Sequence, residues 1–548
     1  MRINIIKTGI IFIIIFALFL GLQLSFSTVP DADPFYHYGF SKLLASTRIS
    51  TSFPWAHFTS LNQNFSDQGF LFHYLMMPFT LIKFPWGLKI FTALFSSLML
   101  MVFYQLLKKL QIKLPLVWLI ILLVSSSSFL FRLQLGRPLL VTITLSLLGS
   151  YWLIKEKSVL LFFWSLIFVL VSDVSLFIIA VLLASFLLVS IINKSHTKPL
   201  ASGLVWDGER LKIIPLLSSG LGTIGGILAH PQPLNYLNIL WQNYLVCPLI
   251  TLGVDLNSAI ELQSLGLNDF LSNSTILFLC LLFTFILLFL LKINRNNLLT
   301  KKQQNTKNYL LILTMVFLIL TFLYNRFIEY LAPLAVLLTG YCFTIFYNSP
   351  KSPELQILIS NLKKYLNKVP VKILLVLTAV SLLFLPVKKF YTDIKDNDPV
   401  DRYQTTDEWL KNNTPKRSII FHASWDSFHR LFFYNQHNYY IVGFNPSFLY
   451  LYDQNLYWLW RNITEKSIAC AAPTDSIDLK DLTSLNGCTA EQQTPGIIAQ
   501  TIKTRFQSEY IWINDYEIYR DFKKFLENNP EFFEKKIETS DSAVFKIN

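Results

Sequence analysis

Long apolar runs fill the first 387 positions, and short basic clusters separate them. Runs near 5–27, 86–106, 115–131, 138–154, 158–172, 175–192, 213–229, 273–292, 308–324, 331–347 and 371–387 approach the length of about 20 apolar residues that a helix needs to cross a bilayer. The pattern predicts about 11 spans, several of them short by that measure. With the N-terminus in the cytoplasm, span parity places every basic cluster on the cytoplasmic side: Lys108, Lys109 and Lys113, then Lys292, Arg295, Lys301, Lys302 and Lys307, then Lys351, Lys363, Lys364, Lys368 and Lys372. That is the positive-inside rule. The first run is followed by no clear small-x-small cleavage site before Asp31 and reads as an uncleaved span.

The same parity makes 28–85 and 230–272 outer loops and puts everything after residue 387 outside. The first loop is too long for a simple connector. Residues 34–46 predict a short helix that interleaves apolar residues with Tyr36, His37, Ser41 and Lys42. Residues Gly69 to Lys83 are apolar but too short to span, so they read as interfacial or re-entrant. Beyond 387 the charge rises and long apolar runs vanish. Ser418–His422, Tyr439–Val442, Tyr510–Ile513 and Ala543–Ile547 predict strands; 403–412, 447–462, 495–506 and 516–527 predict helices. The chain therefore reads as a polytopic α-helical membrane domain, 1–387, followed by an extracytoplasmic α/β domain, 388–548.

Composition supports this division. Of 548 residues, 53% are hydrophobic and 15% charged, which is too apolar for a soluble chain of this length. The net charge of +13 follows from topology and does not point to nucleic acid. Among five cysteines, Cys280 and Cys342 lie in apolar runs, Cys247 lies in an outer loop, and none has metal-ligand spacing. Cys470 and Cys488 are a candidate disulfide, given a C-terminal domain outside the cytosol.

Candidate chemistry gathers on the outer side. Asp31 and Asp33 stand one residue apart where the first span ends, and carboxylates at a membrane edge are costly. Together they suit a divalent cation such as Mg or Mn, or acid/base work. Their structural alternative is a helix cap ahead of Pro34. Asp67 and His73 add two further candidate ligands, and Glu261 in the second outer loop is a candidate catalytic or metal carboxylate. Arg326 lies between two apolar runs, where a guanidinium can grip a lipid phosphate, pair with Glu329 or set orientation. Arg132 and Arg137 are outer arginines that run against the positive-inside pattern. Gly220 to Gly225 fits G-x-G-x-x-G but sits inside an apolar run, so it reads as helix packing. Asp207-Gly208-Glu209 reads as a turn.

Taken together these residues resemble the GT-C superfamily of membrane glycosyltransferases, most closely the oligosaccharyltransferase catalytic subunit. Asp33-Pro34-Phe35-Tyr36 is similar to the family's metal-binding aspartate motif of the first outer loop. Ser258-Ala259-Ile260-Glu261 loosely fits its Ser-x-x-Glu motif, and Arg326 resembles its arginine for the lipid diphosphate. Glu408 to Pro415, then Ile419-Ile420-Phe421, then Ser424-Trp425-Asp426 follow the order of the family's helix, strand and Trp-Trp-Asp acceptor motif. Two departures stand out. Arg132 to Gly136 fits the segment before the family's second acidic motif, but Arg137-Pro138-Leu139 replaces the acids, and Ser424 replaces the first tryptophan. The resemblance implies transfer of a sugar or glycan from a polyprenyl-phosphate or -diphosphate donor, in the inner (plasma) membrane of a bacterium, with Arg326 and Arg132 on the donor phosphate and Trp425 and Asp426 at the acceptor. The alternatives are a non-catalytic scaffold or glycolipid carrier on the same fold, or a secondary transporter, which needs paired repeats that the chain lacks.

Overall fold

The computed structural model describes residues 2–195, 213–251, 254, 256, 263–294, 299–473 and 488–548. The chain is mostly helical and divides into two compact units that do not follow chain order. One comprises Met1–Pro30, Trp86–Leu228 and Ile260–Asn397; the other comprises Asp31–Pro85, Ala229–Ala259 and Asp398–Asn548.

The first unit is a helical assembly. Among the described residues, Ile6–Leu24, Trp86–Lys109, Ser175–Ile192, Thr275–Ile293, Lys301–Leu323 and Asn325–Asn348 are long and apolar enough to cross a membrane. That makes six candidate spans among the described residues, or up to seven if the bent pair beginning at Ile213–Ala229 counts as one. This is fewer than the apolar runs suggest, and the reason is local. The run at 115–131 breaks into Pro115–Val124 and Ser127–Arg132, because Ser126 caps the second helix by accepting from the Phe129 N–H at 3.2 Å. Leu139–Ile154 and Ser158–Val171 are also short apolar helices. The glycine-rich segment behaves as helix packing. A Cβ at Gly222 would lie 2.1 Å from the Phe162 carbonyl oxygen, and one at Gly226 would lie 2.6 Å from that of Leu166. Two helices thus meet backbone to backbone where only glycine fits. The last helix of this unit, Val369–Lys395, runs past residue 387.

The second unit is built on a five-stranded sheet. Its strands are β1 (Ile419–His422), β2 (Tyr439–Tyr440), β3 (Ser508–Asn514), β4 (Phe533–Glu538) and β5 (Ser542–Ile547), in the order β2-β1-β3-β5-β4. β1 runs parallel to β2 and β3, and β5 runs antiparallel to β3 and β4. Both faces are buried, and alternate residues serve each. Phe421, Ile511, Ile513 and Phe545 pack with Leu459, Ile463, Ile498 and Phe522 from the helices Gln454–Lys466, Pro495–Arg505 and Arg520–Glu527. Ile420, Tyr510, Trp512 and Val544 pack on the other face with Leu410, Phe428 and Phe432.

That second face also takes Tyr36, Phe40, Leu44, Phe53 and Phe65 from the segment read as the first outer loop. The loop even joins the sheet. Trp55 accepts from the Tyr440 N–H at 2.9 Å, and His57 donates to the Tyr440 carbonyl at 2.8 Å. Residues 31–85 are therefore a layer of this α/β unit. Cys470 and Cys488 are disulfide-bonded, with Cα atoms 5.6 Å apart.

One group in this core is energetically out of place. Asp407 is fully buried, its Oδ1 receives only a 3.5 Å hydrogen bond from Tyr440, and its Oδ2 has no partner among the described residues. Burial pushes its carboxyl well above the usual carboxylate range. A raised native value means stabilisation that is complete below the unfolded value, about 3.9, and lost as pH rises through the folded one. Asp407→Asn should therefore raise thermal stability, by about 1 kcal/mol or more at pH 8 and by less at pH 5. Melting curves at the two pH values check this, and an equal or opposite shift would contradict it.

Candidate functional site

The first turn of the helix Asp33–Thr47 carries the site. Pro34 at its start supplies a preset φ, and the N-cap residue is Ala32, with no side-chain cap. Asp33 therefore does not cap this helix. Asp31 precedes it in a left-handed conformation, φ 74°, and its own carboxylate accepts from the Ala32 N–H at 2.7 Å. Asp33 and His37 are four residues apart and so share one helix face.

Asp33 Oδ1 lies 3.3 Å from His429 Nε2. His429 lies in the first turn of the helix Phe428–Tyr434, and its Nδ1 donates to the Asp426 carbonyl at 3.2 Å. A carbonyl cannot donate, so Nδ1 carries a hydrogen. Nε2 then faces the Asp33 carboxylate. One buried imidazole thus bridges two sequence candidates almost 400 positions apart, Asp33 and Asp426. Ser424 donates to the Asp426 carboxylate, and Trp425 packs beside the core of the unit. The helices approach closely because position 39 is glycine: a Cβ there would lie 3.3 Å from the Phe433 ring.

His37 joins a second hydrogen-bonded chain. The Asp67 carboxylate accepts from His73 Nδ1 at 2.8 and 2.9 Å, and from the Gly69 N–H at 3.0 Å. That fixes the His73 tautomer, so its Nε2 accepts from His37 Nδ1 at 2.8 Å. The proton-accepting lone pair of a neutral His37 is then at Nε2. Asp67 and His73 are buried, and His37 is half-buried. His230, from the second loop, braces this turn by donating from Nε2 to the Asp67 carbonyl at 3.0 Å. Its Nδ1 accepts from the Gln232 N–H at 3.1 Å, and burial lowers its proton affinity, so it is neutral. Tyr36 packs edge-on against His73, His429 and Phe444. Burial, then Asp67 and Asp33, push its phenol well above the usual range, so it stays protonated.

The structure brings Asp31, Asp33, Asp67, His73, Trp425 and Asp426 into one unit. Arg132 and Arg326 belong to the other unit, and each is described there by itself. Arg132 is buried and pairs with Glu329, Nη1 to Oε2 at 3.2 Å. Arg326 is half-buried in the turn Asn325–Phe327, ahead of the helix Ile328–Asn348. Ser258, Glu261 and the Asp207–Glu209 turn lie outside the described residues. Among the described residues no group of three or more His, Cys, Asp or Glu is arranged to hold a metal ion. The oxygens of Asp67 accept from His73 Nδ1 and from the Gly69 N–H.

His37, His429 and His230 stand beside the candidate residues, and the motifs did not identify them. A signal was present in composition: every histidine of the chain except His196 falls in the second unit. Compared with known proteins, the chain matches no family model, and no curated protein matches its sequence.

Proposed function

We propose that this chain is an integral membrane glycosyltransferase of GT-C type. It moves a sugar or glycan from a polyprenyl-phosphate or -diphosphate donor to an acceptor outside the cytoplasm. In this reading the shorter apolar helices complete the membrane domain as short spans. The observation that carries the reading is the Asp33–His429–Asp426 linkage, which ties the acidic motif to the Ser-Trp-Asp motif.

Chemically, glycosyl transfer needs the acceptor proton removed as the bond from the anomeric carbon to the acceptor oxygen forms and the bond to the donor phosphate breaks. The phosphate leaves with the bonding pair. Asp33 takes the acceptor proton in this mechanism, and His429, 3.3 Å away, orients its carboxylate. His37 stands one turn away, hydrogen-bonded to His73, and in this mechanism exchanges a proton along the Asp67–His73 pair. Tyr36, kept neutral, limits water around the pair. Arg326 grips the donor phosphate with its planar fork. Transfer by purified protein, wild type against Asp33→Asn, tests the reading.

Topology is part of the same proposal. The segments that parity places outside, 28–85, much of 230–272 and the C-terminal region, supply the second unit, which supports placing them on one side. Single cysteines at positions 364 and 524, in a chain whose own free cysteines are replaced, should label oppositely. An impermeant maleimide added from outside should modify position 524 and spare 364, and the reverse would overturn the topology.

A further inference from the structure

A cavity of about 420 Å³ opens in the first unit, between the start of the helix Thr275–Ile293 and the last turns of Val369–Lys395. Its volume falls in the range of small-molecule sites and well exceeds that of a phosphate ion. The lining is graded along the second helix. Leu385 and Pro386 come first, Lys388 and Lys389 follow, and Asp393 lies at the far end. At about 1.5 Å per residue, the apolar and charged ends are about 12 Å apart.

The donors here are the lysines. The Thr275 hydroxyl already donates to the Leu271 carbonyl at 2.6 Å. Lys388 and Lys389 are exposed, and Lys389 acts electrostatically on the Asp393 carboxylate of the same lining. With Asp393 counted, the lining keeps net positive charge. Phe384 and Leu385 are largely exposed, so the apolar end continues onto a greasy helix surface. These two cations also stand at the end of an apolar run that parity makes the outer end, where lysine runs against the positive-inside pattern. A gradient from apolar surface to paired cations is the complement of an amphiphile with an anionic head.

We propose that this cavity binds the phosphate headgroup of an anionic membrane lipid. Lys388 and Lys389 hold the phosphate, and the first apolar segment of the lipid lies along Leu385 and Pro386. The proposal does not rest on the transferase reading, because it concerns a lipid bound at another helix pair.

The test uses the full chain in detergent micelles, titrated with fluorescent phosphatidic acid. Saturable binding should weaken about 10-fold in the Lys388→Gln/Lys389→Gln double variant. Lys364→Gln/Lys368→Gln, which removes the same charge elsewhere, should bind like wild type, and phosphatidylcholine should compete poorly. Unchanged melting curves establish that both double variants are folded. Equal binding by wild type and the first variant overturns the site, and equal weakening in both variants reduces it to general charge attraction and overturns it as well. Inorganic phosphate that displaces the lipid at comparable concentration makes this a free-phosphate site and overturns the lipid assignment.

Discussion

Replacing Asp33 with asparagine should lower glycosyl transfer by about 100-fold or more, with folding and insertion unchanged. Asparagine keeps the size of the side chain and can still reach His429, but it cannot take a proton. The helix would not suffer, because its N-cap is Ala32 and no side chain caps it. The loss should fall on turnover more than on donor affinity, since the donor phosphate is assigned to Arg326. If Asp33 served only to orient His429 through a hydrogen bond, asparagine would suffice. Near-wild-type turnover in the Asn variant, with matched expression, would reject the catalytic role.

The second large effect concerns Arg132. Its guanidinium and the Glu329 carboxylate form a buried pair. Removing one partner of a buried ion pair typically costs about 3–5 kcal/mol. Arg132→Met should therefore lower the thermal midpoint of the purified chain strongly. A polyprenyl-phosphate analogue should bind the surviving folded fraction about as well as it binds wild type. A donor-binding arginine predicts the opposite: weak donor binding in a chain of ordinary stability. That result would return Arg132 to the donor site that the sequence resemblance assigns it, and would show Glu329 to be a minor partner.

The strongly patterned elements were legible in the sequence. β1, β3 and β5 carry buried apolar residues on both faces, and the predicted segments fall on them. The helix over 34–46 is the observed Asp33–Thr47 within a residue at each end. The expected helix at 447–462 is interrupted because Asp453 caps a new helix, accepting from the Leu456 N–H at 3.0 Å. β4 gave no signal. It is an edge strand of sequence Phe-Glu-Lys-Lys-Ile-Glu, whose charges pair along the rim, as Lys535 does with Glu538 at 2.7 Å. Such charges blunt an exposed edge and erase the apolar alternation.

The site was legible only in halves. Local motifs exposed Asp33, Asp67, His73 and Asp426 because each stands out against apolar neighbours. The histidines that connect them, His37 and His429, look like ordinary helix residues, since their partners lie 36 and 396 positions away. Pairing across that distance depends on the first loop becoming a layer of the C-terminal sheet. The hydrophobic pattern of residues 34–65 permits this but does not name the partner surface. The break within 115–131 was hidden for a related reason: length and hydropathy do not register the Ser126 cap within an apolar run.

The central claim is that this chain transfers a lipid-linked sugar by using Asp33. The most direct measurement works whatever the sugar is: the profile of lipid-linked and envelope glycans in cells lacking the protein, restored with wild type or with Asp33→Asn. The account predicts that a lipid-linked glycan accumulates and a finished glycan disappears without the protein. Wild type should reverse both changes and the Asn variant should reverse neither. Identical profiles in all three strains, or full restoration by the Asn variant, would contradict it.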